Sequence, residues 1–162
     1  MKKLLSILLR TVAVLGLGSA AVRAEDPNGE AALNKIYAQT LVNAAVDEHR
    51  ELITLGLHGI PPGAKNEVMI AGNIDHIGNP DSEDDLAAAK EHKTLLEPKS
   101  PEKFEIVMPL LDAHGGYIGA VVMIFRRSPE ETEAFIYLKA VGIRDDLAKK
   151  IPSYAALFDP AK

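Results

Sequence analysis

The five histidines are the side chains of this sequence best suited to chemistry, because imidazole binds metals and moves protons near neutral pH. They are His49, His58, His76, His92 and His114. No two of them have the H-x-x-x-H spacing that places two metal ligands on one helix face. His58, in a predicted strand, and His76, in the loop after the next strand, form the best pair, because adjacent strands could bring them together. A metal or haem site on these two histidines is an alternative, but we favour a buried strand histidine and a solvated loop histidine, with no metal site and no cofactor.

The other reactive residue types give little support for nucleophilic catalysis. The sequence has no cysteine, which excludes disulfides, thiolate nucleophiles and cysteine-bound zinc. It has no G-x-S-x-G motif, and Gly115-Gly116 opens a hairpin rather than a phosphate-binding helix. The acids at 81–85 match no calcium loop, and acids gather at helix N-termini for dipole and capping reasons alone. We therefore expect a protein that is not an enzyme.

The first 24 residues have the pattern of a secretory signal peptide. Lys2 and Lys3 precede a mostly apolar stretch over residues 4–17, and Val22-Arg23-Ala24 forms an A-x-A-like cleavage site. A membrane anchor is the alternative, but it needs about 20 apolar residues with few charges, and Arg10 interrupts the stretch. We expect cleavage after Ala24, a periplasmic or secreted location, and one domain over residues 25–162.

Cleavage would also change the charge of the chain. It removes four basic residues and no acidic ones, so the formal net charge falls from −5 to −9. Such a balance argues against a nucleic-acid partner, because affinity for nucleic acid rests largely on lysine and arginine at the phosphates. With 47% hydrophobic residues, the chain has enough apolar surface for a core without disulfides.

Hydrophobic periodicity and turn residues predict an α+β fold. The predicted elements are a long helix over 30–49, strands over 52–60 and 67–72, a loop over 73–82, a short helix over 83–91, a brief strand over 94–97, a turn over 98–101, a hairpin over 103–126 and a C-terminal helix ending at Pro152. A continuation of the first helix to about residue 55 is the alternative for the first strand. Short connections favour an antiparallel sheet with helices packed on it.

Three local signals make sharper predictions. The stretch 117–125 is apolar on both faces, which predicts a strand covered on both sides. Pro109 predicts an edge or a bulge in the first hairpin strand, because proline has no N–H to donate. Ser128-Pro129-Glu130-Glu131 predicts a helix start with serine as the cap. Asp81 or Ser82 is the predicted cap of the short helix.

The order of elements resembles the single Cache domain, a PAS-like extracytoplasmic sensor module. The resemblance spans roughly residues 30–128 and rests on the long first helix and on short motifs. These are Met69-Ile70-Ala71-Gly72-Asn73 followed by Ile77-Gly78, Asp84-Asp85-Leu86, and Met108-Pro109-Leu110-Leu111-Asp112 leading through Gly115-Gly116 to Ile118-Gly119-Ala120-Val121-Val122. It implies a sheet of about five strands, with the first helix on one face and a small-molecule pocket on the other. Some relatives bind amino-acid ligands with a group of aromatic residues. This sequence has no such aromatic-rich group and no tryptophan.

The resulting hypothesis is a stand-alone secreted or periplasmic sensor domain that binds a small molecule and acts through a membrane sensor or transporter protein. The candidate ligand-binding residues are His58, Met69, Asn73, His76, Asn79, Tyr117 and Val121. The first alternative is a metal- or haem-binding envelope protein that uses His58 and His76. The second is a structural interaction module, with a homodimer formed through the N-terminal helix.

Overall fold

A computed structural model describes residues 29–161 of the chain. Its elements in order are α1 (Glu30–Leu33), α2 (Tyr37–Glu48), β1 (Leu52–Gly59), β2 (Val68–Gly72), α3 (Glu83–Glu91), β3 (Leu95–Ser100), β4 (Lys103–Leu111), β5 (Tyr117–Arg126), α4 (Glu133–Lys150) and a 3₁₀ helix (Ala155–Phe158). The predicted signal peptide, residues 1–24, lies outside these residues. Between residues 29 and 161, no helix combines the length and apolarity needed to cross a bilayer.

The five strands form one antiparallel sheet in the order β2-β1-β5-β4-β3, which confirms the predicted α+β fold. Side chains alternate between its two faces. One face carries the main core, where α2 and α4 pack against residues such as Leu57, Val121 and Met123. The other face carries a smaller cluster, in which Ala88 of α3 packs on Val107, Ala120 and Val122. The central strand β5 is therefore covered on both sides, as its sequence predicts.

The predicted first helix is wrong in one respect, since it is broken at residues 34–36. Tyr37 N donates to Asp159 O at 2.7 Å, and Ala161 N donates to Lys35 O at 2.7 Å. Ile36 also forms an isolated antiparallel bridge with Pro160. Backbone hydrogen bonds to the C-terminal tail thus replace helical hydrogen bonds at these residues. The side chains keep a helical periodicity, so the sequence pattern does not predict the break.

The predicted start of the C-terminal helix at Ser128 is also wrong. The helix cap is Thr132, whose hydroxyl accepts from Phe135 N at 3.2 Å. The Ser128 and Glu131 pair does form, because Ser128 N donates to Glu131 Oε2 at 3.0 Å, but it closes a turn before the helix. The capping motif was identified correctly as a local structure and placed one turn too early as a helix start.

The edge strand β3 departs from its predicted bounds of 94–97 by a few residues. β3 extends to Ser100 through the predicted turn, and it contains Pro98, which an edge strand tolerates. The prediction for Pro109 is confirmed. It pairs with Ala120 on β5, while β3 begins at Leu95 opposite Val107, so the other side of Pro109 is a local edge. The first strand is β1 and not a continued helix.

Candidate functional site

The site lies on the α3 face of the sheet and begins with His58 of β1. His58 pairs with Met69 of β2 on one side and with Ala120 of β5 on the other. Gly56 precedes it on the same face, and a Cβ atom there would lie 2.9 Å from Met69 Cε and 3.1 Å from His58 Nε2. The absence of a side chain at Gly56 therefore leaves room for the methionine and the imidazole to lie over the sheet.

Asp81 approaches His58 from the loop between β2 and α3. Its Oδ1 lies 2.8 Å from His58 Nδ1, and the two side chains are 1% and 6% exposed. An isolated bridge between Val68 and Pro80 holds the loop against the edge of the sheet. Because a carboxylate only accepts, the hydrogen of this bond resides on Nδ1, and the opposite nitrogen, Nε2, faces away from Asp81.

Asp85, in the first turn of α3, is the second carboxylate beside the imidazole. Its Oδ2 lies 3.8 Å from His58 Nδ1 and accepts from Ser82 N at 2.9 Å and from Ser82 Oγ at 2.7 Å. Ser82 Oγ in turn accepts from Asp85 N at 3.3 Å, which completes a capping box. Of the two predicted caps, Ser82 fills the role, and Asp81 is left free to face the histidine.

Two atoms of this cluster are buried without a hydrogen-bond partner: His58 Nε2 and Asp81 Oδ2. The part of the chain that the structure describes contains one further such atom, Glu67 Oε2, and Lys90 Nζ lies 3.0 Å from it. An ion pair therefore compensates Glu67. A buried polar atom without a hydrogen-bond partner costs about 1–3 kcal/mol of stability. The two unpartnered atoms of His58 and Asp81 therefore call for an explanation.

A cavity of about 400 Å³ adjoins the histidine. Its apolar wall comes from Met69, Ile74, Val107, Val122 and Ile124. Its polar wall comes from Thr54, His58, His76, Ser82, Asp84, Asp85, Lys99 and Glu105. The space thus combines an aliphatic surface from the sheet with polar groups from the loop, from α3 and from the edge strands.

The single cationic side chain in that wall is already paired. Lys99 Nζ lies 2.7 Å from a carboxylate oxygen of Glu105 and 2.7 Å from one of Glu97. Hydrogen bonds to Glu105 and then to Glu97 raise the pKa of Lys99 above its ordinary value. The remaining charged wall residues, Asp84 and Asp85, are acidic, so the cavity has a negative balance.

A larger open depression of about 650 Å³ lies at the far end of the sheet, near Pro101, Lys103, Arg126 and Pro129. No side chain along its wall has a buried polar atom without a partner. We therefore place the candidate site at the smaller cavity, where the unpartnered imidazole nitrogen lies.

Three of the predicted ligand-binding residues meet at this cavity: His58, Met69 and His76. They come from β1, β2 and the loop that follows, as the sequence predicts. His76 is exposed and belongs to no close group of metal-ligating atoms, whereas His58 is 5% exposed. A ligand role for the three stays a prediction.

The two predicted loop asparagines lie outside the cavity wall. Asn73 Oδ1 accepts from Leu55 N at 2.8 Å, and Asn73 Nδ2 donates to Ile53 O at 3.0 Å. Through these bonds the Asn73 side chain pairs with β1 along the edge that β2 occupies, just beyond the last residue of β2. Asn79 is exposed, and its backbone carbonyl accepts from Met69 N at 3.1 Å. Both positions therefore shape the loop around the cavity rather than face into it.

The two candidates from β5 also lie elsewhere. Tyr117 is 56% exposed and stacks on His92, with ring centroids 3.7 Å apart. Val121 is buried on the opposite face of the sheet, opposite Leu57 and Met108, in the main core. Neither residue contributes to the wall around His58.

Four residues of the site are not predicted from the sequence: Thr54, Asp81, Asp85 and Glu105. One signal was available for Asp81. A capping box needs one cap and one partner three residues later, and Ser82 and Asp85 supply both. Asp81, the acid before the cap, is therefore not needed to cap the helix. Thr54 shares a face with His58 by the period of two, and it too could have been included.

Comparisons with known proteins assign no family. No family model and no curated protein matches the chain. Among solved structures, it is similar to a GAF sensor protein from Burkholderia vietnamiensis, with 15% identity, coverage of 74% of this chain and 76% of that one, and a TM-score of 0.49. It is also similar to the inducer-binding domain of PobR from Acinetobacter, solved with 3-hydroxybenzoic acid, with 15% identity, coverage of 72% and 96%, and a TM-score of 0.46.

A third similar structure is a type II free methionine-R-sulfoxide reductase from Thermoplasma acidophilum, with 14% identity, coverage of 70% and 90%, and a TM-score of 0.43. At these identities and TM-scores, the likenesses assign neither a ligand nor an activity to this chain. The Cache resemblance of the sequence stays a prediction.

Proposed function

We propose that this domain binds a small organic molecule in the cavity between the sheet and α3, as a sensor rather than as an enzyme. The observation that carries the proposal is the buried His58, which lines a cavity of about 400 Å³ and whose Nε2 has no hydrogen-bond partner. Ligand pockets in proteins typically measure about 300–1,000 Å³ and place a few polar groups within apolar walls. A ligand group bonded to Nε2 would remove the cost of burying it.

The charge of the wall narrows the class of ligand. Glu105 and Glu97 already pair with Lys99, while Asp84 and Asp85 add negative charge. A carboxylic acid would meet like charge there with no free cationic partner, and like charges repel. The proposed ligand is therefore a small neutral or cationic molecule with an apolar part that contacts Val107 and Val122.

Thermal unfolding of the full chain tests this proposal when it is measured against a set of small amines, neutral nucleobases and organic acids. A ligand present at 100 times its Kd stabilises the protein by about 2.7 kcal/mol. Thr54→Val keeps the shape of a cavity residue and removes its hydroxyl, so the stabilisation should fall. Thr40→Val, on the exposed side of α2, is the matched control and should leave it unchanged.

Two results would contradict the proposal. One is the absence of any stabilising compound, together with the absence of a bound small molecule in mass spectra of protein purified from its native source. The other is a stabilising compound whose effect Thr54→Val and Thr40→Val change equally, because binding at this cavity must distinguish the two threonines.

We also propose that the domain lies outside the cytoplasm, where a membrane sensor or transporter protein responds to the bound ligand. Its support is the signal-peptide pattern of residues 1–24. A homodimer through the N-terminal helix is a separate possibility, and it would have to use the polar side of α2, because Ala38, Leu41, Val42 and Ala45 are buried. Sedimentation with and without ligand measures that association directly.

A further inference from the structure

We propose that His58, Asp81 and Asp85 together bind a divalent transition-metal ion. Each residue offers one ligand atom, and the three atoms lie within 4.8 Å of one another. They come from β1, from the end of the loop after β2 and from α3, so the fold, rather than a local sequence motif, brings them together. Within residues 29–161 this is the one such group of three or more metal-ligating side chains.

The distances between the donor atoms suit a single ion. His58 Nδ1 lies 2.8 Å from Asp81 Oδ1 and 3.8 Å from Asp85 Oδ2. Zinc binds imidazole nitrogen and carboxylate oxygen at about 2.0–2.2 Å, which separates neighbouring ligand atoms by roughly 3.0–3.5 Å. The observed separations fall on either side of that range. The ligand atoms of the two aspartates lie within 4.8 Å of each other, so all three side chains would have to shift slightly to surround one ion.

A separate observation points to a cation, namely the unpartnered oxygen of Asp81. The Asp81 side chain is 1% exposed, and its Oδ2 has no hydrogen-bond partner. Lys90 of α3 is paired with Glu67. Two carboxylates therefore share one imidazole, and no other basic side chain belongs to this group of three residues. Buried charge is costly unless it is paired, and a divalent ion would supply the missing partner.

The surroundings of Asp85 also suit a metal ligand. Ser82 donates two hydrogen bonds to Asp85 Oδ2, from its backbone nitrogen and from its hydroxyl. Hydrogen bonds orient ligating carboxylates in known metal sites. Both bonds here end on Oδ2, so an ion bound by that oxygen would replace the bond from the Ser82 hydroxyl. Here they hold the Asp85 carboxylate beside His58 before any ion arrives, which lowers the conformational entropy that binding would cost.

The donor set selects the class of metal. Calcium and magnesium prefer oxygen ligands alone, whereas imidazole nitrogen combined with carboxylate oxygen suits zinc, manganese, iron, cobalt and nickel. This inference departs from the sequence expectation of no metal site. It also differs from the alternative built on His58 and His76, because His76 is exposed and is not part of the group.

Metal binding at Nδ1 has a specific consequence for the cavity. Without metal, Nδ1 carries the hydrogen that it donates to Asp81, so Nε2 of the neutral ring is an acceptor. With metal on Nδ1, the hydrogen of the neutral ring resides on Nε2, which becomes a donor. Because His58 lines the cavity, the ion would change the hydrogen bonds that this ring can make with its surroundings.

Zinc titration of the chelator-treated full chain, followed by calorimetry without any small molecule, tests the site independently of the proposed ligand function. We expect saturable binding of one zinc ion and weaker binding of calcium. Asp81→Asn keeps the shape of the side chain and should weaken zinc binding by at least the roughly 10–100-fold that loss of an outer-shell partner costs. Asp75→Asn, at an exposed acid of the same loop as Asp81, is the matched control and should bind as the wild type does. His76→Gln tests the alternative ligand pair and should also retain zinc binding.

Nitrogen NMR of the wild type supplies a readout that does not depend on any variant being folded. Zinc should move the His58 hydrogen from Nδ1 to Nε2, which changes the two ring nitrogen shifts in opposite directions. The proposal is overturned by the absence of saturable binding up to about 1 mM zinc, by binding that Asp81→Asn leaves unchanged, by binding that requires His76, or by an unaltered His58 tautomer.

Discussion

His58 Nδ1 and Asp81 Oδ1 lie 2.8 Å apart in the interior of the protein, although 23 residues separate them along the chain. The contact joins β1, inside the sheet, to the loop that leads into α3. Because the loop forms one side of the cavity and β1 forms its floor, this single bond helps to define the space between them. It also leaves Nε2 as the ring nitrogen without a hydrogen-bond partner.

Replacing Asp81 with asparagine should therefore destabilise the fold. The amide can still accept a hydrogen bond from His58, but the charge that strengthens the bond is lost, and the amide hydrogens have no identified acceptor. We expect a decrease of about 1–3 kcal/mol in the free energy of unfolding, measured in urea with metal removed. Asp75→Asn is the control, because this exposed loop acid should change stability by less than about 0.5 kcal/mol. Equal effects of the two variants would contradict a stabilising role for the His58–Asp81 bond.

Gln39 of α2 extends the sheet at its open edge. Its Nε2 donates to Gly72 O at 3.0 Å, and its Oε1 accepts from Gly72 N at 3.0 Å, so the side-chain amide pairs with β2 as another strand would. Gln39→Leu leaves both buried backbone groups unpaired, and we expect a loss of about 2–4 kcal/mol in the free energy of unfolding. Thr40→Leu, on the exposed side of the same helix, should change it little. Hydrogen exchange at Gly72 should accelerate in the first variant alone.

The sequence predicts what local patterns encode. Alternation identifies β1, turn residues identify the hairpin, and the Ser82 capping box marks the start of α3. The break at residues 34–36 and the helix start at Thr132 escape prediction, because the first depends on contacts with the distant tail and the second on a choice between two adjacent caps.

The candidate site shows the same difference between residues that local patterns identify and residues that only long-range contacts bring in. His58, Met69 and His76 could be grouped because adjacent strands and their loop must converge. Val121 was placed with them because the face of a hairpin strand depends on register, and a shift of one residue moves a side chain to the other face. Asp81 and Asp85 were assigned to helix capping, which describes Asp85 correctly but omits its contact with His58. Only the fold shows that the acids beside the cap lie over a buried histidine.

Gly119 of β5 should tolerate no side chain. Its φ of +143° is rarely adopted by L residues, and a Cβ atom would lie 2.2 Å from His58 O, a backbone atom that cannot move alone. We expect Gly119→Ala to lower the free energy of unfolding by more than about 3 kcal/mol. Gly142→Ala, in α4, has no neighbour within 4 Å and should raise it by about 0.5–1 kcal/mol. Chemical denaturation of both variants should thus show opposite signs, and similar changes would contradict the assigned strand geometry.

The signal-peptide prediction concerns the mature N-terminus. When the full chain is produced in a Gram-negative bacterium, the periplasmic fraction should contain a protein that begins at Glu25, as measured by intact mass and N-terminal sequencing. Ala24→Phe places a bulky residue where the cleavage site needs a small one, so the precursor should accumulate at the membrane. Recovery of the wild type with residues 1–24 intact would favour the membrane-anchor alternative.

Tyr154 should make stability depend on pH in alkaline solution. Its hydroxyl donates to Ile60 O at 2.5 Å and accepts from Ile60 N at 2.6 Å. Burial raises the pKa of Tyr154 above the ordinary value of 10.0, and the charges of Glu67 and Asp81 add to the effect. The unfolded chain therefore releases the tyrosine proton at a lower pH than the folded chain does. The contribution of Tyr154 to stability is complete below about pH 10 and is lost as the pH rises through the pKa of the folded state.

The variant Tyr154→Phe isolates this contribution. At neutral pH it should unfold with about 1–3 kcal/mol less free energy than the wild type, because it lacks both hydrogen bonds to Ile60. Between about pH 9 and pH 11 the difference should narrow, since the wild type alone loses the Tyr154 contribution as the hydroxyl ionises on unfolding. Urea denaturation at several pH values measures both effects, with Tyr137→Phe as the control that should parallel the wild type. A constant difference between Tyr154→Phe and the wild type would show that the raised pKa is not linked to folding.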